Sequence, residues 1–246
     1  MPPEFAALHG AEDMPQANAG TAPVRHVSSA GVVGGECAAL SPVDAQLVLA
    51  QIYLDRGQMH AAFTMLAVAA RSGDAKALNM LGRAYERGWG VAPDPLLAIP
   101  YFEMAARQNY GWAFFNLADL YLAGRGVPRD VGRAYALYVR AAQAGVGKAL
   151  NMLGLLHEDH APAGTQAARQ YYTAAAEAGD CWGALNMARL ALQDGNILVA
   201  QEFFHKTLQS GFGACFMAMK ELLAFMPPPH RADLLARTER CLHQQP

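Results

Sequence analysis

Apolar residues in the middle of this chain recur every three or four positions, and glycine or proline breaks the pattern every 10 to 15 residues. Leu78, Leu81, Gly82 and Tyr85 stand at i, i+3, i+4 and i+7, one face of an α-helix, and Gly88 follows where a left-handed stop is wanted. A short loop, Trp89 to Pro93, leads to Asp94 as N-cap with Pro95 behind it. The next helix carries Ala98, Phe102, Ala105 and Ala106 on its inner face and ends near Asn109, a residue type that tolerates left-handed backbone. Other copies place Gly73, Gly145, Gly179 and Gly211 at that end. Pro100, inside the first turns, is expected to kink or delay its helix. The interruptions leave no heptad, which excludes a coiled coil.

The helix pair is itself repeated. ALNMLG, Ala77 to Gly82, returns at Ala149 to Gly154, and Ala113 to Ala118 (AFFNLA) lies midway. The small residues that close each copy are Ala50, Gly82, Ala118, Gly154, Ala188 and Ala218, spaced 32, 36, 36, 34 and 30. Three residues further on stand Tyr53, Tyr85, Tyr121, His157, Ala191 and Glu221, a ring that fades along the array. Repetition at this period marks a solenoid whose units are stable only when stacked. Gly82 or Ala118 is expected to face Ala105–Ala106 or Ala141–Ala142, letting helix backbones approach closely.

Three segments follow from the pattern. Residues 1–40, rich in Gly, Ala and Pro, have no period and few large apolar groups, and disorder is expected there. Ser41, Pro42 and Asp44 form a helix start, so the array is expected over 41–226, as five helix pairs and a partial sixth. After Pro227-Pro228-Pro229, residues 231–242 read as an amphipathic helix, and 227–246 is expected to cap the open end.

These residues resemble the Sel-one-like repeat family, relatives of the tetratricopeptide repeats. The second unit matches through Ala77, Leu81-Gly82, Tyr85, Gly88-Trp89-Gly90-Val91, Asp94, Ala98, Phe102 and Ala105-Ala106. The third matches through Ala113, Leu117-Ala118, Tyr121, Gly124-Arg125-Gly126-Val127, Asp130, Ala134, Tyr138, Ala141-Ala142 and Gly145. The fourth departs, with Asp159-His160-Ala161-Pro162-Ala163-Gly164 in place of Gly-x-Gly-Val. The resemblance implies an all-α, right-handed superhelical solenoid of stacked antiparallel helix pairs. It also implies a non-catalytic adaptor or scaffold for a protein or peptide partner, in a bacterial regulatory or assembly pathway, with no cofactor.

Composition and charge narrow the rest. With 53% hydrophobic and 16% charged residues, a chain of 246 residues can bury a sizeable core. A net charge of -2 offers no basic excess to a phosphate backbone, so no nucleic acid is expected, although helical RNA-binding repeats have units of similar length. No apolar run approaches the roughly 18 residues of a membrane span, and no membrane insertion is expected. The N-terminus lacks the basic and apolar regions of a leader, and Cys37, Cys181, Cys215 and Cys241 form no CxxC pair. They read as free thiols, idle or buried, in a cytoplasmic protein.

Candidate chemistry is sparse. His157-Glu158-Asp159-His160 lacks the i, i+4 histidine spacing of zinc proteases, and His157 occupies the repeat's tyrosine slot, which favours a packed ring. A hydrolase using His157 to His160 is the enzymatic alternative, and a structural homo-oligomer is another. Partner-binding residues are expected on the A helices, at positions facing away from helix B: Lys76, Asn79, Arg83; Trp112, Phe115, Asp119; Lys148, Asn151, Leu155; Trp182, Leu185, Arg189. Trp and Arg carry a disproportionate share of interface energy. Whether Trp112 and Trp182 face the groove or fill the seam between units stays open at this level.

Overall fold

The computed structural model describes residues 40–159 and 164–244, so the expected disorder of 1–40 and the placement of His160 lie outside, save for Leu40. Twelve helices make up the described residues: α1 (Pro42–Asp55), α2 (Met59–Ala70), α3 (Ala75–Arg87), α4 (Pro95–Arg107), α5 (Gly111–Ala123), α6 (Val131–Gln143), α7 (Gly147–Glu158), α8 (Gly164–Glu177), α9 (Cys181–Gln193), α10 (Ile197–Ser210), α11 (Gly213–Leu223) and α12 (Pro228–His243). Odd-numbered helices are the A helices of the repeat, and even-numbered ones the B helices. They fall into two compact units, α1–α4 and α5–α12. In each, every A helix packs on its own B helix, and α2 on α3, α6 on α7 and α8 on α9 join consecutive pairs.

Local chemistry sets the boundaries. The Ser41 hydroxyl accepts from the Asp44 amide at 3.1 Å and donates to the Asp44 carboxylate at 2.7 Å, pinning the first turn of α1. Asp74, Asp94, Asp130 and Asp180 accept amide hydrogens at the starts of α3, α4, α6 and α9. Gly88 and Gly124 end α3 and α5 with φ of 78° and 69°, and Asn109 has φ of 58°. Gly211 departs from its counterparts: its φ is -78°, and it closes α10 in extended backbone. Pro100 does not delay its helix. α4 begins at Pro95 and runs through Pro100, its sixth residue, where the one ladder bond that would reach the Leu96 carbonyl is given up.

The small residue closing each hexapeptide makes room for a ring. A Cβ on Gly82 would lie 2.7 Å from the Phe102 ring, and one on Gly154 would lie 2.5 Å from the Tyr172 ring. The close approach is therefore glycine against a buried aromatic, one turn ahead of the alanine pair that the pattern suggested. Phe102 and Tyr172, with Tyr138 between them in sequence, are fully buried.

A second motif recurs two repeats on, with two of its rings displaced by 72 residues and the third by 70. The Tyr85 ring stacks on Tyr101 at 5.5 Å and meets the edge of Phe63 at 5.4 Å; the His157 ring stacks on Tyr171 at 5.1 Å and meets Tyr135 at 5.7 Å. Each triad draws one ring from a B helix, one from the next A helix, and one from that helix's own partner. At the C-terminal end, α12 packs on both α10 and α11, burying Leu234 and Thr238 and leaving Ala232, Asp233 and Arg240 in water.

Candidate partner-binding surface

Side chains on the three A-helix lines have unequal access to water. Lys76, Trp112 and Lys148, at the starts of α3, α5 and α7, are half-buried, as is Asp119. Asn79, Arg83, Phe115, Asn151, Leu155, Trp182, Leu185 and Arg189 are all buried. The expectation that all of these present a continuous strip to a partner is corrected by their burial. Helical phase gives the direction in which a residue points from its own axis, but for Asn151, Leu155, Trp182, Leu185 and Arg189 an adjacent A helix fills that space, since α9 packs on both α7 and α11, while Phe115 lies against Tyr138 of α6.

In the α5–α12 unit the buried positions form two connected clusters. Phe115, 2% exposed, meets Trp112 edge-on at 5.6 Å and Tyr138 at 5.5 Å, while the Lys148 ammonium sits 5.3 Å above its ring. The Tyr138 hydroxyl donates to Asp119 Oδ1 at 2.5 Å; burial first, then the Asp119 charge, pushes that phenol well above its ordinary range. The pair Trp112 and Lys148 is thus a partly exposed ridge on a rigid base.

The second cluster is polar. Asn186 Nδ2 donates to Asn151 Oδ1 at 2.9 Å, and Arg189 donates through one terminal nitrogen to both Glu158 oxygens at 2.8 and 2.6 Å. The Tyr172 hydroxyl donates to Glu158 Oε2 at 2.7 Å. α7, α8 and α9 are thereby tied by charge-assisted bonds inside the stack, where a slip of one repeat against the next would leave polar groups unpaired. Arg189, expected to reach a partner, instead has a guanidinium only 1% exposed and bound to Glu158. Trp182 is placed in the seam, its ring meeting Phe212 edge-on at 6.3 Å.

Asp180 caps α9, accepting from the Gly183 amide at 2.7 Å. The residue as a whole is half-exposed, but its carboxyl is screened from water, and that burial pushes it up to about 6, against the lowering effects of the Gly183 amide and the Lys148 charge.

The cysteines correct the sequence reading outright. Cys181 and Cys215 are joined as a disulfide between the first turns of α9 and α11, Cα atoms 6.5 Å apart. Cys241 is free and Cys37 lies outside the described residues. A signal was present: the separation of 34 is close to one repeat, which places the two in the first turns of consecutive A helices.

His157 lines an open cleft of about 400 Å³ with Val131, Gly132, Tyr135 and Leu156. Its Nε2 lies 3.3 Å from the Tyr135 hydroxyl, which lies 3.3 Å from that of Tyr171. The ring fills the tyrosine slot and is held among aromatics. Among the described residues no three His, Cys, Asp or Glu side chains stand together as a metal site, and no helix is long and apolar enough to cross a membrane.

Comparison with known proteins fits this geometry. The model of the Sel1 repeat matches residues 75–110, 114–146 and 147–180. A Sel1 repeat protein from Oxalobacter formigenes shares the fold at a TM-score of 0.67 and 22% identity, over 83% of this chain and 91% of that one. Immunity protein Pa5087 from Pseudomonas aeruginosa superposes with a TM-score of 0.62 at 18% identity, over 84% of this chain and 83% of that one. The protective antigen c5321 of uropathogenic Escherichia coli, described as an SLR fold, gives 0.59 at 20% identity, over 82% of this chain and 45% of its own. In sequence, the chitin synthase regulator SKT5 of Malassezia restricta is 36% identical over 121 residues, 47% of this chain but only 8% of that protein. Three consecutive matches identify residues 75–180 as Sel1 repeats, within an all-helical fold shared with solved Sel1-repeat structures.

Proposed function

We propose that this chain is a non-catalytic adaptor that holds a partner protein or peptide on its A-helix side. Contact in the α5–α12 unit is made by Trp112, Lys148 and Asp119, and in the α1–α4 unit by Lys76 at the position equivalent to Trp112. The observation that carries the reading is the Trp112–Phe115–Lys148 cluster: a half-exposed indole and an ammonium fixed over a buried ring at 5.6 and 5.3 Å, amphipathic and preorganised. Asn79, Arg83, Phe115, Asn151, Trp182, Leu185 and Arg189 act from beneath, holding the helices that carry the exposed residues. A chitin synthase regulator among its sequence relatives, and immunity proteins among the structures that share its fold, support a role in control through protein contact. The Cys181–Cys215 bond favours a compartment in which disulfides persist over the reducing cytoplasm suggested by the cysteine spacing.

The test is capture from the source cells with the full chain and with Trp112→Ala, identification by mass spectrometry, and titration of the identified partner by calorimetry. Removing a central indole should weaken affinity about 30-fold, corresponding to about 2 kcal/mol, with circular dichroism unchanged. Equal affinity for Trp112→Ala and Lys148→Ala would refute this surface.

A further inference from the structure

One face of α1 is apolar and uncovered. Val48, Leu49 and Ile52 are 48%, 45% and 39% exposed and, with Ala45, follow the i, i+3, i+4, i+7 line. One repeat on, 32 residues later, the same positions are Ala77, Met80, Leu81 and Ala84 in α3, and all four are buried. α1 has its own B helix, α2, and the following A helix, α3, in place. Among the described residues, α3 has a preceding helix pair and α1 has none. The exposed stripe is therefore a stacking surface without a described neighbour, and a helix is the element whose shape fits it.

The charges beside this stripe say which helix. Asp44, Val48, Ile52 and Arg56 succeed one another at steps of four, on one line along α1, and both charged residues are exposed. Beyond its Ser41 contact, Asp44 forms no ion pair among the described residues, and Arg56 forms none. An antiparallel copy of α1 laid about the midpoint of this line sets Val48 against Ile52 of the copy and Asp44 against Arg56 of the copy, twice over by symmetry. α12, by contrast, covers α10 and α11 and turns Ala232, Asp233 and Arg240 to water, so its own outer face carries no comparable apolar stripe.

We infer that α1 is an isologous self-association surface, occupied by α1 of a second copy of this chain in antiparallel orientation. A single helix pair gives a small interface, so the dimer is weak and concentration-dependent, with dissociation at about 10–100 µM.

Sedimentation equilibrium of the full chain from about 5 to 500 µM is expected to show a shift from 26.3 kDa to twice that mass. Val48→Glu should remain monomeric throughout. Arg56→Glu, which sets like charges together at both ends, should weaken association about tenfold, and the exchange Asp44→Lys with Arg56→Glu should return it to within about threefold of the parent. Circular dichroism on each variant separates lost pairing from lost helix. A chain still monomeric at the top of the range overturns the proposal and leaves the face to residues before Leu40 or to a different protein. Association that ignores both the charge reversal and the exchange overturns it equally.

Discussion

Breaking the Cys181–Cys215 bond should loosen the C-terminal third of the array. The bond closes a loop of 34 residues that contains most of α9 and all of α10. Loop-closure entropy for that length gives about 3.8 kcal/mol of stabilisation at 25 °C. Both sulfurs are buried, so replacement by alanine, Cys181→Ala with Cys215→Ala, removes the link without introducing a buried polar group. If the repeats melt together, the midpoint should fall by roughly 8–15 °C. In a stacked array the loss should concentrate locally, with faster amide exchange in α10 to α12 and little change in α5 and α6. The assay is thermal circular dichroism with and without a thiol reductant, alongside thiol titration of the denatured chain. Four thiols should titrate after reduction and two before it, since the chain has four cysteines in all. The double variant should ignore reductant. Four titratable thiols in protein never exposed to reductant, or a melting curve that reductant leaves unmoved, would refute the staple and the compartment inferred from it.

Three further outcomes test the packing. Gly154→Ala should cost about 1–2 kcal/mol in chemical denaturation despite alanine's better helix propensity, because its Cβ would press on the Tyr172 ring, whose hydroxyl is tied to Glu158. Glu158→Ala should cost about 3 kcal/mol by removing the carboxylate that balances buried Arg189, and adding Arg189→Met should recover part of that loss; a double variant less stable than the single one would contradict the charge argument. Asp180 has a raised folded-state value of about 6 against 3.8 as the ordinary one, so the native state binds its proton more tightly and this group's favourable contribution is lost as pH rises from about 4 to about 6. Asp180→Asn, which keeps a capping side chain, should therefore be more stable than the parent at pH 8, by at most about 3 kcal/mol, and should lose that advantage at pH 4.

The sequence alone determined the helices and their order. A period of 3.6 residues, aspartate caps and a glycine or Asn109 at the turns are local signals, each enforced within a few residues of itself, and the return of ALNMLG announced the stacking. Only the tertiary structure decided which A-helix faces meet water. Phe115 is buried against Tyr138 of its own B helix, contrary to the direction that helical phase suggested, and Arg189 is buried against Glu158 of the preceding A helix. That outcome depends on the distance between helices of different repeats, which no single helix encodes. The same holds for the bonds that lock the stack. Asn186 to Asn151, Arg189 to Glu158 and Cys181 to Cys215 join positions 35, 31 and 34 residues apart, so each exists only once two repeats have docked.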